Sequence, residues 1–349
     1  MSEIVCATIA QDPEDRPLTL VGIDDGYACT KLALADGRLV SVASRGRIGG
    51  SKVSWMPNAE RLIYEYATNG ATYSVGEVDA ESTRFEGYPE SGLNRAIVQH
   101  ALQYAGLEGA DISAVSGLPV STFYRNSGTR RESAIESKRD NLMAPVAPLD
   151  GSPSADVVCH QVIPEALAAW YDHVIVDEAN GAKLDKLLAL APIAVVDIGG
   201  RTTDTVVVRD QGILHHSSGS CLAGILDGIE SFADALEERF GLRLPGSGMI
   251  SRAFATGAIA IYGRHYDVSD EALRAKRELV ERLHAAVRRQ LGSGAELHKV
   301  LLVGGGALAL REYVSDWFPN QVVAAQPEFA NARGMLKYLR HLCAASEQS

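Results

Sequence analysis

Long apolar runs are missing from this 349-residue chain. The longest, Leu187 to Val196, is broken by Pro192 and falls short of the roughly 18 residues that a membrane-spanning helix needs. A soluble protein with no membrane partner is expected. Cysteine is sparse and unpatterned: Cys6, Cys29, Cys159, Cys221 and Cys343 show neither CxxC nor metal-ligand spacing, which favours reduced thiols over a disulfide framework. The first seventeen residues hold four acids and two prolines, with no basic segment leading into an apolar core, so they do not read as a secretory signal. They are expected to form a flexible tail, residues 1–17, on a cytoplasmic protein. Positive charge is in deficit, at a net −11, which disfavours direct binding to nucleic acid because counterion release needs clustered Lys and Arg. The single basic stretch, Arg125 to Arg139, is interleaved with Glu132 and Glu136 and reads as a solvated helical face.

What remains is an ordinary globular composition, 46% apolar and 22% charged, with room for about two domains. An internal repeat supports that number. The segment Val21-Gly-Ile-Asp24-Asp25-Gly26, continuing to Thr30-Lys31 and Leu34, lines up with Ala194-Val-Val-Asp197-Ile-Gly199, continuing to Thr203-Asp204 and Val207, at a constant offset of 173 residues. Each copy is a β-branched apolar run that ends in Asp-x-Gly, turns, and resumes, which predicts a strand, a tight turn and a returning strand. Third strands are expected at Leu39–Ser44 and Ile213–Ser217. Amphipathic spacing predicts helices at Asn94–Tyr104, Ile225–Phe240 and Glu271–Leu291, with strands at Ile112–Ser116 and Val300–Val303. Strands alternating with helices argue an α/β layered fold.

The turns carry the chemistry. An Asp-x-Gly turn leaves backbone N–H groups unpaired and uncovered by a Cβ, a geometry that cradles phosphate oxygens. Asp25, Gly26, Thr30, Lys31, Gly199, Gly200, Thr202 and Thr203 are the candidate binding residues, with Gly304-Gly305-Gly306 as a third element after a buried strand. Asp24 and Asp197, at strand ends, suit Mg²⁺ held through its waters. Taken singly, either turn reads as a plain hairpin; two copies in register, with the triglycine turn, favour a nucleotide cleft. Glu165, after Pro164, reads either as a charge at a helix start or as a carboxylate that orients an attacking water.

With those residues in view, the chain resembles the ParM/StbA family of plasmid-segregating, actin-like ATPases, from about Leu20 to Arg340. Ile23-Asp24-Asp25-Gly26 with Lys31-Leu32, and Val196-Asp197-Ile198-Gly199-Gly200 through Asp204, are similar to its two phosphate motifs. Gly117-Leu118-Pro119 through Asn126, then Ile135, Lys138-Arg139 and Asn141, is similar to a segment more diagnostic of this family than of actin folds at large. Val303 to Ala307 is similar to the adenosine-contacting loop, and Asn331-Ala-Arg-Gly334-Met335 to the closing helix. Arg201 stands where the family often has Thr, and Ala166 where Ser is common.

The resemblance implies an actin-like, duplicated ribonuclease H-like, two-domain ATPase fold, with domain I at 18–188 plus 325–343 and domain II at 189–324. It implies catalytic Glu165, Asp24 and Asp197, ATP (or GTP) with Mg²⁺ as cofactors, and head-to-tail polymerisation through contacts that do not close. It further implies segregation of plasmid DNA through a ParR-like adaptor bound to a centromere-like repeat. A small-molecule kinase of the same fold and an MreB- or FtsA-like scaffold are the rival functions, since fold alone does not choose among them. No segment for an acceptor site and no membrane-binding amphipathic helix stands out in the sequence. A DnaK-type chaperone would need a further substrate domain after the closing helix.

Overall fold

Each copy of the repeat folds as a hairpin inside its own sheet. In the computed structural model, which describes residues 18–346 apart from 57, 126, 179–180 and 245–246, Leu18–Asp25 pairs antiparallel with Cys29–Leu34. Ile193–Ile198 pairs in the same way with Thr203–Arg209. The registers coincide under the 173-residue shift: Asp24 faces Lys31 and Asp25 faces Thr30, just as Asp197 faces Asp204 and Ile198 faces Thr203.

The sheets around the hairpins match too. The first runs Leu39–Ala43, Cys29–Leu34, Leu18–Asp25, Asp111–Leu118, Asp156–Pro164. The second runs Gly212–Ile213, Thr203–Arg209, Ile193–Ile198, Lys299–Val303, Gln321–Val323. In both, the motif strand pairs antiparallel with its hairpin partner and parallel with the strand on its other side. Parallel pairing needs crossover chain on the sheet faces, so the central strands are covered on both sides and read as continuous apolar runs. Val21, Ile23, Val195 and Val196 have no exposed surface.

The expected third strand of the second copy is mostly absent. Only Gly212–Ile213 pairs; His215–Ser217 turns as a 3₁₀ helix, and Gly219–Cys221 returns to pair with Thr203–Thr205. Ser218 explains the diversion, because its hydroxyl donates to Leu214 O at 2.8 Å and accepts from Val207 N at 2.9 Å, taking the place of a ladder bond.

Helices close the layers. Gly92–Tyr104, with Ser91 accepting from Asn94 N at its start, packs Ala96, Ile97 and Ala101 against the first sheet. Ile225–Phe240 and Ser269–Leu291 lay Phe232, Leu236, Leu279 and Leu283 in the core of the second sheet, each worth about 1.5–3 kcal/mol of transfer free energy. A third cluster spans the halves: Trp170 and Val174 of helix Leu167–Val174 meet Ile193, Val195 and Val206 of the second sheet. The last helix, Ala330–Ser346, runs beside both Leu18–Asp25 and Leu167–Val174.

No helix among the described residues is long and apolar enough to cross a membrane. Cys29, Cys159 and Cys221 are free thiols. The tail expected over residues 1–17 lies outside the described residues, as does Asn126.

Candidate functional site

The two repeat turns face each other across a cleft. Asp24, Gly26 and Lys31 line one side, and Asp197, Gly199, Gly200 and Thr202 the other. Glu165, the Gly304-Gly305-Gly306 turn and Asn331 complete the wall. Residues from five separate stretches of sequence therefore converge, because both motif strands end at the same edge of the molecule.

Lys31 and Asp24 form an ion pair at 2.9 Å across the first hairpin, both nearly buried. Burial opposes the ammonium charge, yet the Asp24 carboxylate outweighs it and holds the Lys31 pKa above its ordinary value. The second hairpin carries Asp204 where the first carries Lys31. Asp197 thus has no cationic hairpin partner; its carboxylate accepts from Asn331 Nδ2 at 2.6 Å. Burial, with the Asp24 charge next, pushes the Asp197 pKa up to about 7. Asp204 accepts from Val120 N at 2.9 Å and from the Ser220 hydroxyl. Burial raises its pKa as well.

Glu165 is not on a helix. The strand runs to Pro164 and the helix begins at Leu167, so the helix-start expectation fails. Glu165 sits in the turn between them, where its N–H donates to Leu118 O at 2.8 Å. Ala166 has φ +61 and ψ −41, a strained conformation for a residue with a Cβ, and is held by its N–H donating to Asn331 Oδ1 at 3.2 Å. Asn331 therefore clamps the Glu165 turn and Asp197 with the two ends of one amide. Gly117 makes room for the glutamate, since a Cβ there would lie 2.7 Å from Glu165 Cγ. Burial, followed by the charges of Asp204, Asp24, Asp197 and Asp25, raises the Glu165 pKa well above the usual carboxylate range.

Gly304 adopts φ +91, and a Cβ there would collide with Asp197 Oδ1 and Ile198 O. A Cβ on Gly306 would lie 2.3 Å from Ile198 Cγ2. Gly304 and Gly306 are thus required by close packing on the end of the Asp197 strand, whereas a Cβ on Gly305 would meet nothing.

Three predicted binding residues point elsewhere. Successive strand residues face opposite sides of a sheet, so with Asp24 in the cleft Asp25 must face the core. There it accepts from Asn94 Nδ2 at 2.7 Å and pairs with Lys138. Thr30 is fully buried, with its hydroxyl 3.2 Å from that of Ser44, and Thr203 donates to Ala223 O at 2.9 Å. The solvated-face reading of Arg125–Arg139 also fails at Lys138, which has no exposed surface and bonds Asp25, Pro89 O and Asn94 Oδ1. Arg201 lies over the ring of Tyr27, its guanidinium carbon 5.4 Å from the centroid. Burial pushes the Tyr27 pKa up to about 12.

Residues 19–175 match the family model described as plasmid segregation protein ParM, N-terminal, and residues 195–316 that described as archaeal actin homologue MreB-like, C-terminal. The chain has an actin-like fold, and its first half is similar to the ParM type. An archaeal actin homologue of Thermoplasma volcanium is 23% identical over 341 residues, 91% of this chain and 97% of that protein. A structure of the archaeal actin homologue Ta0583, a complex with ADP, shares 19% identity at a TM-score of 0.70, covering 95% of this chain and 99% of its own. A 15-stranded ParM filament from Clostridium botulinum shares 19% identity at a TM-score of 0.72, covering 92% and 98%. These likenesses establish the actin-like fold; the first model match holds Asp24, Lys31 and Glu165, and the second holds Asp197, Gly199, Gly200 and the triglycine turn.

Proposed function

We propose that the cleft binds a Mg-nucleoside triphosphate, ATP or GTP, that the bound triphosphate supports assembly of a head-to-tail filament, and that its hydrolysis leads to disassembly. The observation that carries this reading is the convergence of both Asp-x-Gly turns, Glu165 and the triglycine turn on one cleft. The similar structures of an archaeal actin homologue in complex with ADP and of a ParM filament support it.

In this reading the N–H groups around Gly26 and Gly200 hold phosphate oxygens, while Gly199 N–H donates to Thr202 O at 2.9 Å and shapes the turn, and the Lys31 ammonium and the Thr202 hydroxyl add donors. Asp24 and Asp197 hold Mg²⁺ through its waters. The donor set suits that ion: two nearly buried carboxylates are close enough for Asp24 to raise the Asp197 pKa, a repulsion that a divalent cation relieves. Magnesium, when bound, neutralises charge on the phosphate oxygens. Glu165 accepts a hydrogen bond from the attacking water and orients it; the strained Ala166 turn and Asn331 fix its carboxylate.

Residues 18–188 with 325–343 are proposed as domain I and 189–324 as domain II, each holding one of the two sheets. A role in plasmid segregation, through a ParR-like adaptor on a centromere-like repeat and without direct nucleic-acid contact, completes the proposal on the resemblance of the first half to ParM. A cytoplasmic location goes with it.

Pelleting of the pure chain with Mg-ATP, Mg-ADP or no nucleotide, across protein concentrations, tests the proposal. Sedimentation above a critical concentration with Mg-ATP alone supports it. No sedimentation at any concentration, despite nucleotide binding, removes the filament and favours a kinase-like member of the fold.

A further inference from the structure

Three contacts hold the two turns of the cleft together. The turns touch directly: a Cβ on Gly200 would lie 2.9 Å from Ala28 N and 3.0 Å from Ala28 Cβ. Arg201 of the second turn lies over the Tyr27 ring of the first, and its guanidinium donates to the Tyr27 hydroxyl at 3.5 Å. The third contact is a strap in the loop that follows strand Ala71–Gly76. There Thr83 donates to Tyr27 O at 2.6 Å, and the next residue, Arg84, forks onto Asp227 at 2.7 Å and onto Glu230, both on helix Ile225–Phe240. That helix is itself fixed to the second turn, because Ile225 N and Leu226 N donate to Gly199 O and Gly200 O at 3.0 and 2.9 Å. Two adjacent residues therefore tie one turn to the other, Thr83 by a hydrogen bond and Arg84 by ion pairs.

With the turns held in this way, the cavity between them measures about 70 Å³, against roughly 300 Å³ or more for an ordinary ligand pocket. A nucleoside triphosphate enters only when the turns part. The strap is the contact that salt can loosen, since the Glu230 side chain is 64% exposed and that of Arg84 is 28% exposed. The Gly200–Ala28 contact is van der Waals packing and does not respond to ionic strength.

We propose that the ion pairs of Arg84 with Asp227 and Glu230 gate the entry of nucleotide, so that opening of the strap, and not diffusion, limits association. The inference rests on the nucleotide reading of the cleft and adds to it a salt-sensitive rate-limiting step.

The test is stopped-flow mixing of the full chain with Mg-mant-ATP, a fluorescent ATP analogue, below the concentration that supports assembly. In wild type the observed rate should level off as mant-ATP rises, at a plateau that climbs about fivefold or more between about 50 and 500 mM KCl. Arg84→Gln should raise the plateau about tenfold at low salt, remove its salt dependence and leave the equilibrium affinity no weaker, whereas damage to the fold would weaken it. Glu230→Gln, at an exposed position, should raise the plateau in part and decides the matter should Arg84→Gln fail to fold. Asp227 is left in place because its carboxylate also accepts from Gly224 N at 2.7 Å. A rate that rises linearly with mant-ATP, or a plateau unchanged in Glu230→Gln, overturns the gate and leaves the nucleotide reading intact. Failure of wild type to bind mant-ATP at any concentration overturns both.

Discussion

Lys31 and Asp204 occupy the same place in the two halves of the molecule, each directly across its hairpin from the motif aspartate, Asp24 or Asp197, yet they carry opposite charge. The duplicated fold is therefore electrostatically lopsided: one aspartate is neutralised within its hairpin, and the other is left to an amide and to whatever cation enters the cleft.

Removing the cation from the neutralised side should be severe. Lys31→Met leaves Asp24 nearly buried and unpaired, a loss of about 3–5 kcal/mol in denaturant unfolding. Adding Asp24→Asn should restore most of that stability while leaving nucleotide binding weak. A double variant no more stable than Lys31→Met would mean the pair is not what holds the hairpin.

The second buried pair should behave differently. Lys138→Met breaks the Asp25 ion pair under the first hairpin and should destabilise the chain by about 3 kcal/mol. Because Asp25 faces the core, nucleotide affinity measured by equilibrium titration should fall less than tenfold, and by less than in Lys31→Met. A larger loss than in Lys31→Met would return Asp25 to the binding site.

Protons report on Asp197. Its pKa is raised from an ordinary 3.8 to about 7, so between those values the folded chain holds a proton that the unfolded chain has released. The stability it contributes is complete below about pH 4 and is lost as pH rises through 7. In chelator and without nucleotide, wild type should weaken over this range by up to about 4 kcal/mol, and Asp197→Asn should flatten the profile and be the more stable protein at pH 8. Parallel profiles for the two proteins would contradict the assignment.

The repeat made the fold legible, because an offset in sequence became an offset in strand register, Asp24–Lys31 onto Asp197–Asp204. Strand periodicity also held the information that Asp25 and Thr30 face away from Asp24 and Lys31, but a motif reading takes turn residues as a block. Lys138 was masked for a related reason: its neighbours Glu136 and Arg139 are surface charges, and burial of one lysine among them depends on an acid 113 residues away. Asn331 was visible only as part of a closing helix. Its bonds to Ala166 and Asp197 are long-range, and one amide gives no local signal of them.

Single-turnover phosphate release by Glu165→Gln, beside wild type at a protein concentration that supports assembly with Mg-ATP, tests the account most directly. The amide keeps the shape of the side chain and its turn but loses the carboxylate that orients water. Release should slow by about 100-fold or more, with nucleotide binding retained and assemblies persisting after wild type has disassembled. Release at the wild-type rate would remove Glu165 from the chemistry and with it the reading of the cleft as a hydrolytic site.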